Sequence, residues 1–247
     1  NESTSSPLLY YDNNVIGSLN LLSLMKTHLV NNIIFSSSAT VYGEAKKMPY
    51  TENHPQKPIN TYGKTKSMVE DMLEDLCFSD ENISAISLRY FNPIGSEPSG
   101  LLGDSPKGIP NNLLPYITRV AKGLYDELMI YGTDYDTVDG TGVRDYIHVM
   151  DLIAGHIAAL KYQCAHQGYE VFNLGGGKGV SVLEMVDTFE RVNNVKVTRV
   201  IKARRAGDLD KYWACSNKAK RVLNWETKLS VEDMVRDAWH FEQKNLT

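Results

Sequence analysis

The chain has 247 residues, 42% hydrophobic and 23% charged, with a formal net charge of −4. That suits one large globular domain or two modest ones. Without a long basic run, nucleic acid and anionic membrane are poor partners, and no apolar run reaches the ~20 residues of a membrane span.

In chain order, residues 14–28 place Val15, Leu19, Leu22 and Met25 at helical spacing. A short β-branched run, "NNIIFSSS" (31–38), predicts a strand running into a polar turn. Residues 62–77 read as a helix, with Met68, Val69, Met72, Leu73 and Leu76 as its apolar stripe. "ISAISLRYF" (83–91) reads as a buried strand. Residues 92–112, rich in Gly, Pro, Ser and Asn, predict a long loop, and residues 132–145 a second polar one. A helix near 150–162 and a strand at 169–174 follow. Ser181 and Glu184 then form a capping box that opens another helix. Such alternation argues for a parallel sheet with crossover helices.

The three cysteines, Cys77, Cys164 and Cys215, lie far apart with no C-x-x-C spacing. Neither a metal knot nor a disulfide scaffold is expected, and a reducing cytosol is the simple reading. The N-x-[ST] matches at Asn1, Asn82 and Asn245 read as chance. The first residue is not Met, so the lack of a targeting segment carries little weight.

Chemistry concentrates at "TYGKTK" (61–66), where Tyr62 and Lys66 share one helix face. An ammonium near a phenol favours the phenolate, a usable base. The serine triplet ending at Ser38 closes a strand, where reactive groups gather in α/β sheets. Read alone, the pair also fits a solvated lysine beside a half-buried tyrosine, and Ser38 a turn or cap residue. "GGGKG" (175–179) suggests a phosphate loop but fits neither glycine fingerprint, so it reads as a strand-to-helix turn. His148 reads as a satisfied structural histidine.

"FSSSATVYG" (35–43), "YGKTK" (62–66), "LRYFNPIG" (88–95), "GIPNNLLPY" (108–116), "DYDTVDGTGVRDYIHVMDL" (134–152) and "RRAGDLDKYWA" (204–214) occur in order along the chain. Together they resemble the UDP-glucose (UDP-galactose) 4-epimerase family of the extended short-chain dehydrogenase/reductases, in wording closest to fungal members. The resemblance implies an α/β fold: a Rossmann-type doubly wound parallel sheet with a smaller α/β substrate domain. It divides the chain into a partial NAD-binding part, 1–91 and 145–178, and a UDP-sugar part, 92–144 and 179–247. It implies NAD as cofactor, UDP-galactose and UDP-glucose as substrates, no metal, a cytoplasmic setting and a homodimer when complete.

Residue by residue, the resemblance makes Tyr62 the base, Lys66 its partner and a ribose ligand, and Ser38 the bridge to the sugar 4-hydroxyl. Tyr90 and Phe91 fall beside the nicotinamide. Asn92 and Asn112 fall on the UDP-sugar, Arg144 and Arg205 on its diphosphate, and Asp208 on the uridine ribose. Tyr131 falls in the uridine pocket and Tyr212 beside the sugar 2-position. Arginine's planar fork suits phosphate oxygens, although a lone arginine is commonly a surface residue. One of Asn111 and Asn112 could instead cap the helix that follows. The family's opening G-x-G-x-x-G unit does not occur in the chain. The resemblance therefore implies a fragment lacking roughly 90 residues, from ~30 per βαβ unit, and an isolated chain without turnover. Rival readings are a dehydratase or decarboxylase of the same superfamily, or an inactive UDP-sugar-binding remnant. Ala39 and Thr40 after Ser38 lack the Asp-Glu pair that elimination uses.

Overall fold

The structure, a computed structural model, describes residues 2–44, 47–205 and 208–244. Asn1, Asn245 and the Ala206-Gly207 pair of the "RRAGD" segment lie outside these. Two compact units emerge: residues 1–91, 154–174 and 215–226, and residues 92–153, 175–214 and 227–247.

The first unit opens with α1 (Glu2–Ser5), α2 (Pro7–Tyr10), a π-helical stretch (Tyr11–Ile16) and α3 (Gly17–Thr27). Helix therefore begins well before residue 14, where propensity alone put it. Strand β1 (Asn32–Ser36) leads through a 3-10 turn (Ala39–Val41) to α4 (Thr61–Ser79) and β2 (Ser84–Tyr90). The three-stranded sheet has the order β1-β2-β6, all parallel, with β6 at Gly168–Leu174. The middle strand β2 is buried along almost its whole length, which explains its unbroken apolar run.

Leu22 and Met25 of α3 pack with Val69, Leu73 and Cys77 of α4 against Ile83 and Ala85. The stripe expected along α4 is shifted. Met72 and Leu76 flank it and Met68 is exposed, as is Leu19 on α3.

In the second unit β3 (Asn92–Ile94) pairs with β5 (Val143–His148), so the first three residues of the expected long loop form a strand. The second expected loop likewise ends inside β5. On β5, β7 (Gly179–Ser181) runs antiparallel and β9 (Lys211–Tyr212) parallel. β4 (Leu128–Tyr131) pairs with β8 (Arg199–Lys202). The core is formed by α5 (Leu113–Ala121), α7 (Val182–Asn193) and α9 (Val231–Lys244), through Leu114, Ile117, Met185, Phe189, Val235 and Ala238. The capping box is present: Glu184 N donates to Ser181 Oγ at 3.0 Å and Ser181 N to Glu184 Oε2 at 3.4 Å.

The units part company with the expected ranges at three places. Residues 145–153 and 175–178 belong to the second unit, because β5 pairs with β3, β7 and β9. Residues 215–226 belong to the first: Cys215 N donates to Tyr50 O at 2.7 Å, and Lys218 of α8 (Asn217–Leu223) pairs with Glu170 on β6 at 2.6 Å. Most of α6 (Val149–Gln163) also lies in the first unit.

Candidate active site

In the first unit, the carboxyl end of β1 delivers Ser36, Ser37 and Ser38. Ser38 caps the 3-10 turn, its Oγ accepting from Thr40 N at 3.2 Å and Thr40 Oγ1 at 2.9 Å. It is therefore a turn residue, and its hydroxyl lies near enough to the Tyr62 phenol to lower that group's pKa. Helix α4 begins beside it. The Asn60 side chain accepts from Gly63 N at 2.7 Å, an N-cap that aims the first turn. Gly63 allows the approach: a Cβ there would stand 2.6 Å from the Thr40 carbonyl oxygen and 2.9 Å from Pro58 Cβ.

Lys66 donates to Ser36 O at 2.9 Å, with its Nζ 4.8 Å from the Phe35 ring centroid and 5.6 Å from that of Tyr62. Burial pushes Tyr62 above the ordinary phenol value, nearby Tyr90 adds to this, and the Ser38 hydroxyl pulls it down. Burial pushes Lys66 down. Lys66 stands one turn from Tyr62 with its ammonium on a backbone carbonyl, and burial disfavours the charged form of both groups. Tyr90 is half-buried, its pKa raised by burial and lowered by the nearby Ser36 hydroxyl, with His156 6.3 Å away ring to ring. Phe91 is buried against Tyr50, their centroids 6.4 Å apart.

In the second unit, β5 and β9 bring a second group together. Their register sets Arg144 opposite Tyr212, and the guanidinium sits 5.0 Å from the Tyr212 ring centroid. Tyr212 OH donates to Asn92 Oδ1 at 3.2 Å, and Asn92 Nδ2 to Asp145 O at 2.7 Å. Arg144 reaches Asp208 at 3.9 Å, the loose limit of an ion pair. Tyr135 OH donates to Asp208 Oδ2 at 3.3 Å. Arg205 stacks on Tyr131 at 3.8 Å and Arg204 on Tyr135 at 4.0 Å. Arg144, Arg204 and Tyr135 thus gather at Asp208, Arg204 also pairing with Asp210, while Arg205 and Tyr131 form a stack of their own; guanidiniums and rings of this kind suit a diphosphate and an aromatic base. Sequence reasoning passed over Tyr135 and Arg204. The doubled arginine and the Tyr131/Tyr135 spacing were the signals available.

Asn112 stands at the N-cap of α5 but makes no capping bond. It lines a cavity of about 490 Å³ together with Pro93, Ser96, Asp104, Met150 and Phe241, and no member of the Arg144 group lines that cavity.

The glycine run "GGGKG" does cradle an anion, but an internal one. Gly176 N donates to Asp145 Oδ1 at 2.7 Å, and Gly177 N and Ala214 N to Oδ2 at 3.1 and 2.8 Å. Burial pushes Asp145 up to about 7 while these three donors favour its ionised form. The run leads into β7 rather than straight into a helix. His148 is fully buried between Asp237, at 3.3 Å, and the Met150 amide, and burial lowers its pKa. Among the described residues no cluster of three or more His, Cys, Asp or Glu could hold a metal, and no helix is long and apolar enough to cross a membrane.

The sequence profile of GDP-mannose 4,6 dehydratase matches residues 1–238. UDP-glucose 4-epimerase 1 of Oryza sativa subsp. japonica is 53% identical over 247 residues, which cover 99% of this chain and 70% of the rice protein. The UDP-glucose 4-epimerase of Erwinia amylovora is 50% identical over 244 residues, 98% of this chain and 72% of that one. Among solved structures, UDP-glucose-4-epimerase from Stenotrophomonas maltophila, with bound NAD and formylated UDP-arabinopyranose, superposes with a TM-score of 0.96 at 42% identity, covering 98% of this chain and 72% of that one. The Bifidobacterium longum enzyme in complex with NAD+ and UDP gives 0.94 at 46% identity, covering 99% and 73%. Identity at this level along nearly the whole chain, with backbones of the same α/β Rossmann-type fold, makes the chain a member of the UDP-glucose 4-epimerase family.

Proposed function

We propose that the chain serves an enzyme of NAD-dependent, reversible epimerisation at C4 of UDP-galactose and UDP-glucose, a step of galactose metabolism, and supplies its catalytic residues. The observation that carries this reading is the buried Ser38 hydroxyl placed where it lowers the pKa of the half-buried Tyr62 phenol, with Lys66 one helical turn on and donating to Ser36 O at 2.9 Å. Tyr62 takes the proton of the sugar 4-hydroxyl and later returns it. Ser38, whose hydroxyl bears on the phenol, holds the same oxygen in line. Lys66 spends one ammonium proton on Ser36 O and keeps two donors. Those donors fit ribose hydroxyls, so Lys66 and Tyr62, with Tyr90 and Phe91, are the residues proposed to hold NAD. When bound, that cofactor supplies a hydride acceptor and a positively charged ring. Arg144 and Arg205 take the diphosphate, Asp208 the uridine ribose, Tyr131 the uracil, and Asn92 and Asn112 the UDP-sugar. Tyr212 borders the hexose.

A second reading, dehydration of a nucleotide sugar, is favoured by the GDP-mannose 4,6 dehydratase profile. Against it, Ala39 carries no acid or base, and the Thr40 hydroxyl is spent on Ser38. The family's homodimer and a cytoplasmic setting belong to the same proposal. The test is incubation of the full-length protein and NAD with UDP-galactose, followed by mass and sugar analysis. An epimer of unchanged mass is expected. A product lighter by one water would establish the dehydratase, and no product at all would leave the remnant reading.

A further inference from the structure

Glu70 lies one helical turn beyond Lys66 and two beyond Tyr62, on the same face of α4. It is 1% exposed. Its carboxylate accepts from Ser37 Oγ, from Arg89 Nε at 3.0 Å on each oxygen, from Arg89 Nη2, and from Gln56 Nε2 at 3.0 Å. Ser37 precedes Ser38, and Arg89 precedes Tyr90. One carboxylate thus ties α4 to the serine turn and to the end of β2. Arg89 extends the network: its Nη1 donates to Tyr42 OH at 3.0 Å, and Tyr42 OH donates to Asn173 Oδ1 at 2.7 Å.

A buried ion pair is weak evidence for stability, because apolar residues of similar volume hold a fold as well or better. An apolar pair cannot, however, hold the Ser37 hydroxyl at one distance and angle. We propose that Glu70 is a positioning residue: locked to Arg89, it sets the separation between the Ser38 turn and the helix that carries Tyr62 and Lys66. This inference rests on the epimerase reading, but its test has a readout that does not.

The experiment compares the full-length holoenzyme with the double variant Glu70→Met/Arg89→Met and with Ser37→Ala. The double variant removes both buried charges together, so neither is stranded. Expected are a melting temperature within a few degrees of the parent and UDP affinity within about twofold, with kcat lower by about tenfold or more, as a small misplacement costs. Ser37→Ala moves kcat the same way by a few-fold. With 13Cζ-labelled tyrosine, the Tyr62 titration should shift to higher pH in both variants, because the Ser38 hydroxyl that favours the phenolate is moved away from it. Tyr90, Tyr10 and Lys66 also face Tyr62 and are common to all three proteins. An unmoved Tyr62 titration, or an unchanged kcat in a folded variant, overturns the proposal. If the double variant does not fold, Ser37→Ala decides by the same two measurements. A parent enzyme without epimerase turnover refutes the epimerase reading instead, and the titration alone then decides the role of Glu70.

Discussion

Gly63→Ala tests the contact that brings the proposed base to its serine. Two effects compete. Alanine is the better helix residue by roughly 0.5–1 kcal/mol. Against this, the new methyl would stand 2.6 Å from the Thr40 carbonyl oxygen and 2.9 Å from Pro58 Cβ. Relief needs a retreat of α4 by about 1 Å, and overpacking of this kind costs ~1–3 kcal/mol. Overpacking should win by about 1 kcal/mol, a loss of ~2–4 °C in Tm for a protein of this size. The larger effect falls on chemistry. The retreat carries Tyr62 away from Ser38, and a 1 Å misplacement can cost ~10²-fold. The assay is kcat and KM for UDP-galactose beside a thermal melt and a UDP titration. We expect kcat to drop by one to two orders of magnitude, with UDP affinity held. A variant that melts at or above the parent temperature with kcat unchanged would refute the reasoning, because α4 would then have room that the geometry denies it.

Removing the base itself, Tyr62→Phe should lower kcat by ~10²–10⁴ with little change in UDP binding; retention of a tenth of the parent rate would point to another base. Because burial holds Tyr62 above the ordinary phenol value, its reactive, deprotonated fraction grows with pH, so kcat/KM should rise toward alkaline pH. Ser38→Ala removes the hydroxyl that lowers this pKa and should move the rising limb to higher pH; a limb that stays in place would show that Ser38 does not bear on the phenol. Tyr212 fills space beside the proposed sugar site, so UDP-N-acetylgalactosamine should be a poor substrate and Tyr212→Ser should improve it, overpacking being worth ~1–3 kcal/mol; an unchanged ratio of kcat/KM values would contradict this. Asp145→Asn turns an amide group toward backbone donors, at about 2 kcal/mol or ~4–8 °C in Tm, readable by calorimetry.

How much of this was legible beforehand depended on whether the deciding interaction was local. The Tyr62–Lys66 spacing and the Ser181–Glu184 box are short-range, and both stand in the structure as read. Strand β5 was half-hidden because Val143, Arg144 and Asp145 continue a polar Gly- and Asp-rich stretch. Only pairing with β7 and β9 makes them sheet. The glycine run at 175–177 advertised an anion correctly, but the anion is Asp145, thirty residues upstream, and no spacing rule links the two. Glu70 and Arg89 were invisible for a similar reason. A glutamate on a helix full of acids reads as solvated, and an arginine ending an apolar run reads as a strand end. Their partnership exists only once β2 lies against α4.

The two groups differ in how firmly they are held, and the proposed reaction needs that difference. Ser38 is buried and Tyr62 half-buried, and the helix that carries Tyr62 is pinned at Asn60, Gly63 and Glu70. A proton acceptor must meet its hydroxyl at one distance in both directions of the reaction, so rigidity serves it. Arg204 is paired closely with Asp210, but the two arginines assigned to the diphosphate are held by ring faces and at most a loose carboxylate. Arg144 sits 3.9 Å from Asp208, and Arg205 lies flat on Tyr131. Stacking leaves the edge of a guanidinium, where its N–H donors lie, free for phosphate oxygens. A site that keeps one grip on a diphosphate while a hexose turns over needs strong donors at the nucleotide end and few fixed charges at the sugar end. In the proposed assignment Tyr212, Asn92 and Ser38 border the sugar, and none of them is ionic at neutral pH.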